Sequence, residues 1–135
     1  MLELNKIYCG DCLELMKQIE DESIDLIITD PPYNISKLNG DILREGKPIK
    51  QDFGKWDHFT SKREFFNFTK KWLKEGCRVL KQNGTFISFF NKEDISFLGQ
   101  QAKKYGVRTR VIFTWCKSNP TPQFRKVNYL SATEF

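Results

Sequence analysis

The run Ser23-Ile24-Asp25-Leu26-Ile27-Ile28-Thr29, halted by Asp30-Pro31-Pro32, is the feature that most limits how this chain can fold. Aliphatic and β-branched residues on consecutive positions describe a strand buried on both faces, the habit of a parallel sheet. The two prolines remove ladder N–H groups and oppose any continuation. Parallel strands need long crossover connections, usually helical, so the flanks should alternate strand and helix.

They do. Lys6-Ile7-Tyr8-Cys9 reads as a short strand turned by Gly10. Asp11 then caps a helix, with Glu14 at capping-box distance. That helix should bury Cys12, Leu13, Met16 and Ile19 and end near Glu20. A second helix starts at Ser61, again with the Ser-to-Glu64 spacing, and Phe65, Phe68, Trp72, Leu73, Gly76, Val79 and Leu80 recur at helical intervals. Core packing is the favoured reading of these aromatics over a stacking platform. Asn83-Gly84 turns into a strand over Thr85–Phe90. Asn91 caps a third helix, with Ile95, Leu98, Ala102 and Tyr105 inward and Gly106 at its end. Val107–Cys116 alternates as a fourth strand, stopped by Asn119-Pro120-Thr121-Pro122. Residues 34–58 lack periodicity and carry the turn signals Asn39-Gly40, Glu45-Gly46, Lys47-Pro48 and Gly54, so they read as a mobile loop. The expectation is an α/β fold, one domain over residues 1–135, with a largely parallel sheet.

Composition excludes other classes. With 39% hydrophobic residues the chain is not intrinsically disordered. No run approaches the ~20 apolar residues of a membrane span, and Met1–Lys6 has no apolar signal core, so a cytoplasmic location is expected. The net charge of +5 suits a polyanionic partner, although a solvated basic surface explains it as well. Cys9-Gly10-Asp11-Cys12 has the CxxC spacing of a zinc or redox site. A zinc would have to draw its other ligands from Cys77, Cys116 or the lone His58, all distant in sequence, so no metal is expected. Two small fillers beside a turn is the favoured reading.

Asp30-Pro31-Pro32-Tyr33 carries the chemistry. It lies just past the carboxyl end of a strand, where open α/β sheets bind ligands. The Asp30 carboxylate and the Pro31 carbonyl can accept both hydrogens of an exocyclic amino group. That favours a pyramidal, more nucleophilic nitrogen, and Tyr33 offers a face for a base. A strand-ending turn with a capping aspartate fits the tetrapeptide equally well.

The flanks add to this. Gly10-Asp11-Cys12, the stretch from Ser23 to Asn34, Arg78-Val79-Leu80-Lys81 with Gly84, and Trp115-Cys116-Lys117-Ser118-Asn119-Pro120 together resemble the DNA amino-methyltransferases that use S-adenosylmethionine. Only 29 residues precede Asp30, so the glycine-rich cofactor strand must follow it, as in the permuted β-class. The resemblance implies a partial Rossmann-like methyltransferase sheet, with helices on both faces. It implies that Asp30, Pro31, Pro32 and Tyr33 are catalytic, that Asp11, Cys12 and Asp30 border S-adenosylmethionine, and that Tyr33 stacks on a base flipped from double-stranded DNA. Aspartate at position 30 favours adenine N6, in a restriction–modification role; cytosine N4 and a non-catalytic nucleic-acid-binding subunit are the alternatives. The family's Phe-x-Gly-x-Gly loop is missing: no two of the eight glycines are spaced as GxG. The chain is therefore expected to be a fragment, or half of an enzyme whose second polypeptide carries that loop.

Overall fold

The computed structural model describes residues 2–34, 37–44, 47–51, 54–116, 118 and 133–134. In chain order these form α1 (Cys12–Met16), β1 (Ile24–Thr29), β2 (Lys37–Arg44), β3 (Lys47–Gln51), a 3-10 turn (Lys55–Asp57), α2 (Lys62–Val79), β4 (Leu80–Ser88), α3 (Ile95–Lys104), β5 (Trp115–Cys116) and β6 (Thr133–Glu134).

α2 forms because its start is well capped and one face is apolar. Ser61 Oγ accepts from Glu64 N–H at 3.1 Å. Glu64 reaches back to Thr60, accepting from its N–H at 2.7 Å and its hydroxyl at 2.6 Å. The reciprocal arm of the capping box thus falls one residue before the cap. Phe65, Thr69, Trp72, Leu73, Gly76 and Val79 are buried along one stripe. Phe68 stays half-exposed, and Thr69 takes the inward position by donating its hydroxyl to Phe65 O at 2.9 Å. Each fully buried Phe or Leu on this stripe contributes roughly 1.5–3 kcal/mol.

β1 and β4 pair in parallel, with α2 in the crossover between them. The register runs Leu26↔Thr85, Ile27↔Phe86, Ile28↔Ile87 and Thr29↔Ser88. It shifts before Leu26, where β4 carries extra residues and Asn83 adopts a φ of 67°. Ile27 and Phe86 face α2, where Gly76 permits a close approach: a Cβ there would stand 2.8 Å from Phe86 Cε2. The core joins Phe65, Trp72 and Leu73 of α2 to Phe90 after β4 and to Leu98 and Ala102 of α3. α3 ends as expected at Gly106, with Gly106 N–H donating to Lys103 O and Val107 N–H to Ala102 O. The cap expected at Asn91 instead serves the preceding turn. Its Oδ1 accepts from Asp94 N–H at 2.7 Å, and Asp94 is the residue before the helix.

Several expectations differ from what is observed. Lys6–Cys9 forms no strand, and Ile7 is fully exposed. Residues 107–114 form none either, and only Trp115–Cys116 pairs, antiparallel with Thr133–Glu134. A strand exists only where another supplies its hydrogen bonds, and neither segment has a described neighbour beyond that pair. α1 is one short turn; Cys12 is exposed, and Leu13, Met16 and Ile19 are only partly buried. The segment read as an unstructured loop contains the antiparallel hairpin β2–β3. The turn expected at Glu45-Gly46 and the stop at Asn119–Pro122 lie outside the described residues. The α/β class with a parallel pair stands, but the described helices gather on one face. The other face of β1–β4 is open, with Leu26 50%, Ile28 64% and Ile87 42% exposed.

Candidate active site

The end of β1 is aligned by its neighbour. Phe89 N–H donates to Thr29 O at 3.0 Å, extending the ladder to the last residue before the tetrapeptide. Asp30 then leaves the sheet with its side chain exposed, while Pro31 is buried and Pro32 and Tyr33 are half-buried. Proline's fixed φ and missing N–H suit a buried turn with no ladder partner. The Tyr33 ring stands edge-on to Phe90, with centroids 6.5 Å apart and planes at 85°. Phe90 in turn stacks on Phe65 at 6.0 Å. The aromatic core beneath the sheet end therefore sets where the Tyr33 ring lies, and the Tyr33 hydroxyl donates to Asp30 Oδ1.

A residue from outside the motif completes the turn. Asp57, 1% exposed, accepts at Oδ1 from Tyr33 N–H at 3.1 Å and from Asn34 N–H at 2.7 Å. Sequence reasoning did not single out Asp57. In the sequence it is one more acid in a polar, aperiodic stretch, and nothing local tells it from its neighbours.

The other expected site residues have local roles. Asp11 caps α1, its Oδ1 accepting from Leu13 N–H at 2.7 Å and Glu14 N–H at 3.3 Å. Cys12 is the first helical residue. Neither shares a described hydrogen bond with Asp30–Tyr33. Partial desolvation and then the Asp11 charge push the Cys12 thiol above its ordinary range. Burial raises the Cys77 thiol further, to about 11. Among the described residues no cluster of three or more His, Cys, Asp or Glu side chains could hold a metal ion. No described helix is long and apolar enough to cross a membrane.

An exposed carboxylate and a proline just beyond the carboxyl end of a parallel strand, with helices packed against the sheet, make an α/β arrangement of the class that binds ligands at strand tips. The sequence profile of the family described as DNA methylase matches residues 24–135, and the chain belongs to that family. Curated relatives include the Type II methyltransferase M.HinfI of Haemophilus influenzae, 37% identical over 97% of this chain and 36% of its own length. Another is the Type II methyltransferase M2.MboI of Moraxella bovis, 33% identical over 87% of this chain and 43% of its own length. The crystal structure of an M1.HpyAVI–SAM complex superposes with a TM-score of 0.61 at 23% identity, covering 96% of this chain and 49% of that one. The chain thus spans less than half the length of these relatives.

Proposed function

We propose that this chain is the tetrapeptide-bearing part of a DNA methyltransferase that transfers a methyl group from S-adenosylmethionine to adenine N6. The observation that carries this reading is the placement of Asp30-Pro31 at the tip of a parallel strand, carboxylate outward, beside an anchored tyrosine ring. The donor, when bound, supplies an activated methyl group on a sulfonium. Asp30 and the Pro31 carbonyl accept the two amino hydrogens of the target, so its nitrogen lone pair is turned from the ring toward the methyl. Pre-set acceptors of this kind cost no reorganisation during reaction. Tyr33 stacks on the base once it leaves the duplex. Asp11 and Cys12 border the donor's adenine, and Asp30 the reacting end.

The open side of the sheet supports a further part of this reading. Leu26, Ile28 and Ile87 form an apolar patch that proteins normally cover. The remaining portion of a methyltransferase domain, in the same protein or in a second polypeptide, covers it and brings the glycine-rich loop. The β2–β3 hairpin closes over bound DNA in this arrangement. The setting is restriction–modification in the cytoplasm, where the DNA lies.

The test is methyl transfer from labelled S-adenosylmethionine into duplex DNA by the chain with its complement, followed by nucleoside analysis. N6-methyladenine in the product, and a loss of about 10²–10³ in rate for Asp30→Ala with DNA binding retained, is the expected outcome. Product labelled at cytosine N4 would overturn the assignment of the base. Near-normal turnover with alanine at position 30 would overturn the catalytic role. A stable monomer of the chain alone that binds the donor tightly would overturn the need for a complement.

A further inference from the structure

We propose that Asp57 is a positioning residue that sets the catalytic turn, an inference that rests on the methyltransferase reading of Asp30–Tyr33. Burying a carboxylate is costly unless hydrogen bonds replace its water. Here one oxygen receives two successive backbone N–H groups, those of Tyr33 and Asn34, from residues 24 and 23 positions earlier in the chain. Both bonds fall within the turn that ends at Asn34, which itself has a left-handed φ of 56°. Successive N–H groups in such a turn form a concavity suited to an anion. The carboxylate of this chain fills it.

Asp57 is itself held in place. Gly54, at φ 106°, starts the 3-10 turn, and Asp57 N–H donates to Gly54 O at 3.0 Å. A side chain at Gly54 would be strained by that φ and would press its Cβ to 3.0 Å from the Trp56 indole nitrogen. The chain therefore leaves the turn after β1 at Asn34 and comes back to it at Asp57. The pair of hydrogen bonds fixes the backbone of Tyr33, hence its ring beside Phe90 and its hydroxyl at Asp30. A displacement of about 1 Å in such a group can cost 10²-fold in rate, so a carboxylate that never touches substrate can still govern turnover.

Two readouts on the full chain test this. The first is amide hydrogen exchange at Tyr33 and Asn34, compared with global stability in urea. Asp57→Ala should speed exchange at both amides at least about tenfold beyond any change in global unfolding. Asp57→Asn keeps one side-chain acceptor and should lie between; it also serves if the alanine variant does not fold. The second is methyl transfer by the complemented enzyme. Asp57→Ala should lower kcat about 10²-fold with the KM for S-adenosylmethionine within about threefold, and Asp57→Asn should restore part of it. A residue that only closes the loop would lower stability without this split. Unchanged exchange at both amides overturns the clamp. Faster exchange with unchanged kcat overturns the positioning role. A wild-type enzyme that transfers no methyl overturns the reading of the site instead, and the exchange result then decides the clamp alone.

Discussion

Tyr33 turns its hydroxyl back onto the Asp30 carboxylate, so the two polar side chains that flank Pro31-Pro32 meet each other. On the proposed function, a target amino group that binds at Oδ1 would take the place of this hydroxyl.

Removing the hydroxyl should therefore leave chemistry intact. Tyr33→Phe keeps the ring and its edge contact with Phe90, and turnover is expected within about threefold of wild type. Tyr33→Ala removes the stacking face, worth about 1–3 kcal/mol per base. Fluorescence of 2-aminopurine at the target position, with single-turnover rates, separates the two. A phenylalanine variant as impaired as the alanine one would show that the hydroxyl is itself required.

Glu64 makes the start of α2 sensitive to acid. The Thr60 hydroxyl, and then its N–H, hold the Glu64 carboxyl below the ordinary carboxylate range. Because the folded value is depressed, this contribution is present above the unfolded pKa and is lost as pH falls through the folded one. Urea midpoints measured from pH 7 to pH 3 should fall less steeply for Glu64→Gln than for wild type. Parallel curves would remove Glu64 from the account.

Gly76 is a packing requirement of the α2–sheet contact. Alanine would gain about 1 kcal/mol of helix propensity. Its Cβ, however, would meet Phe86 Cε2 at 2.8 Å, beneath a ring that also packs against Trp72. Overpacking of this kind costs about 1–3 kcal/mol. Gly76→Ala is thus expected to lose about 1 kcal/mol net in urea denaturation, and Phe86→Leu in the same chain should recover part of the loss. A stabilised alanine variant would refute the contact.

Arg78 ties α2 to the segment that leads into β1. Its guanidinium donates to Met16 O at 2.8 Å and Ile19 O at 3.0 Å, and pairs with Glu75 and Asp21. Its own carbonyl accepts from Glu22 N–H at 3.0 Å. Arg78→Ala is expected to cost about 1–2 kcal/mol, with amide exchange accelerated first over residues 16–22. Arg78→Lys should recover little, since one ammonium does not match several carbonyls in fixed directions. Full recovery by lysine would show that charge alone matters.

What could be read from the chain was what local bonding decides. Helix hydrogen bonds close within four residues, so the caps at Asp11 and Ser61, the inward stripe of α2 and the stop at Gly106 are written where they act. The end of β1 was equally legible, because Pro31 and Pro32 block a ladder whatever lies beside them. The position of Asp30–Tyr33 just beyond the strand is legible for that reason. Strands depend on partners from elsewhere in the chain. Lys6–Cys9 and residues 107–114 have strand-like sequences and no described ladder, whereas 37–44 and 47–51 lack a clear pattern and pair with each other. Asp57 was hidden on the same ground. Its role comes from two N–H groups more than twenty residues away, which only the folded chain brings to its carboxylate.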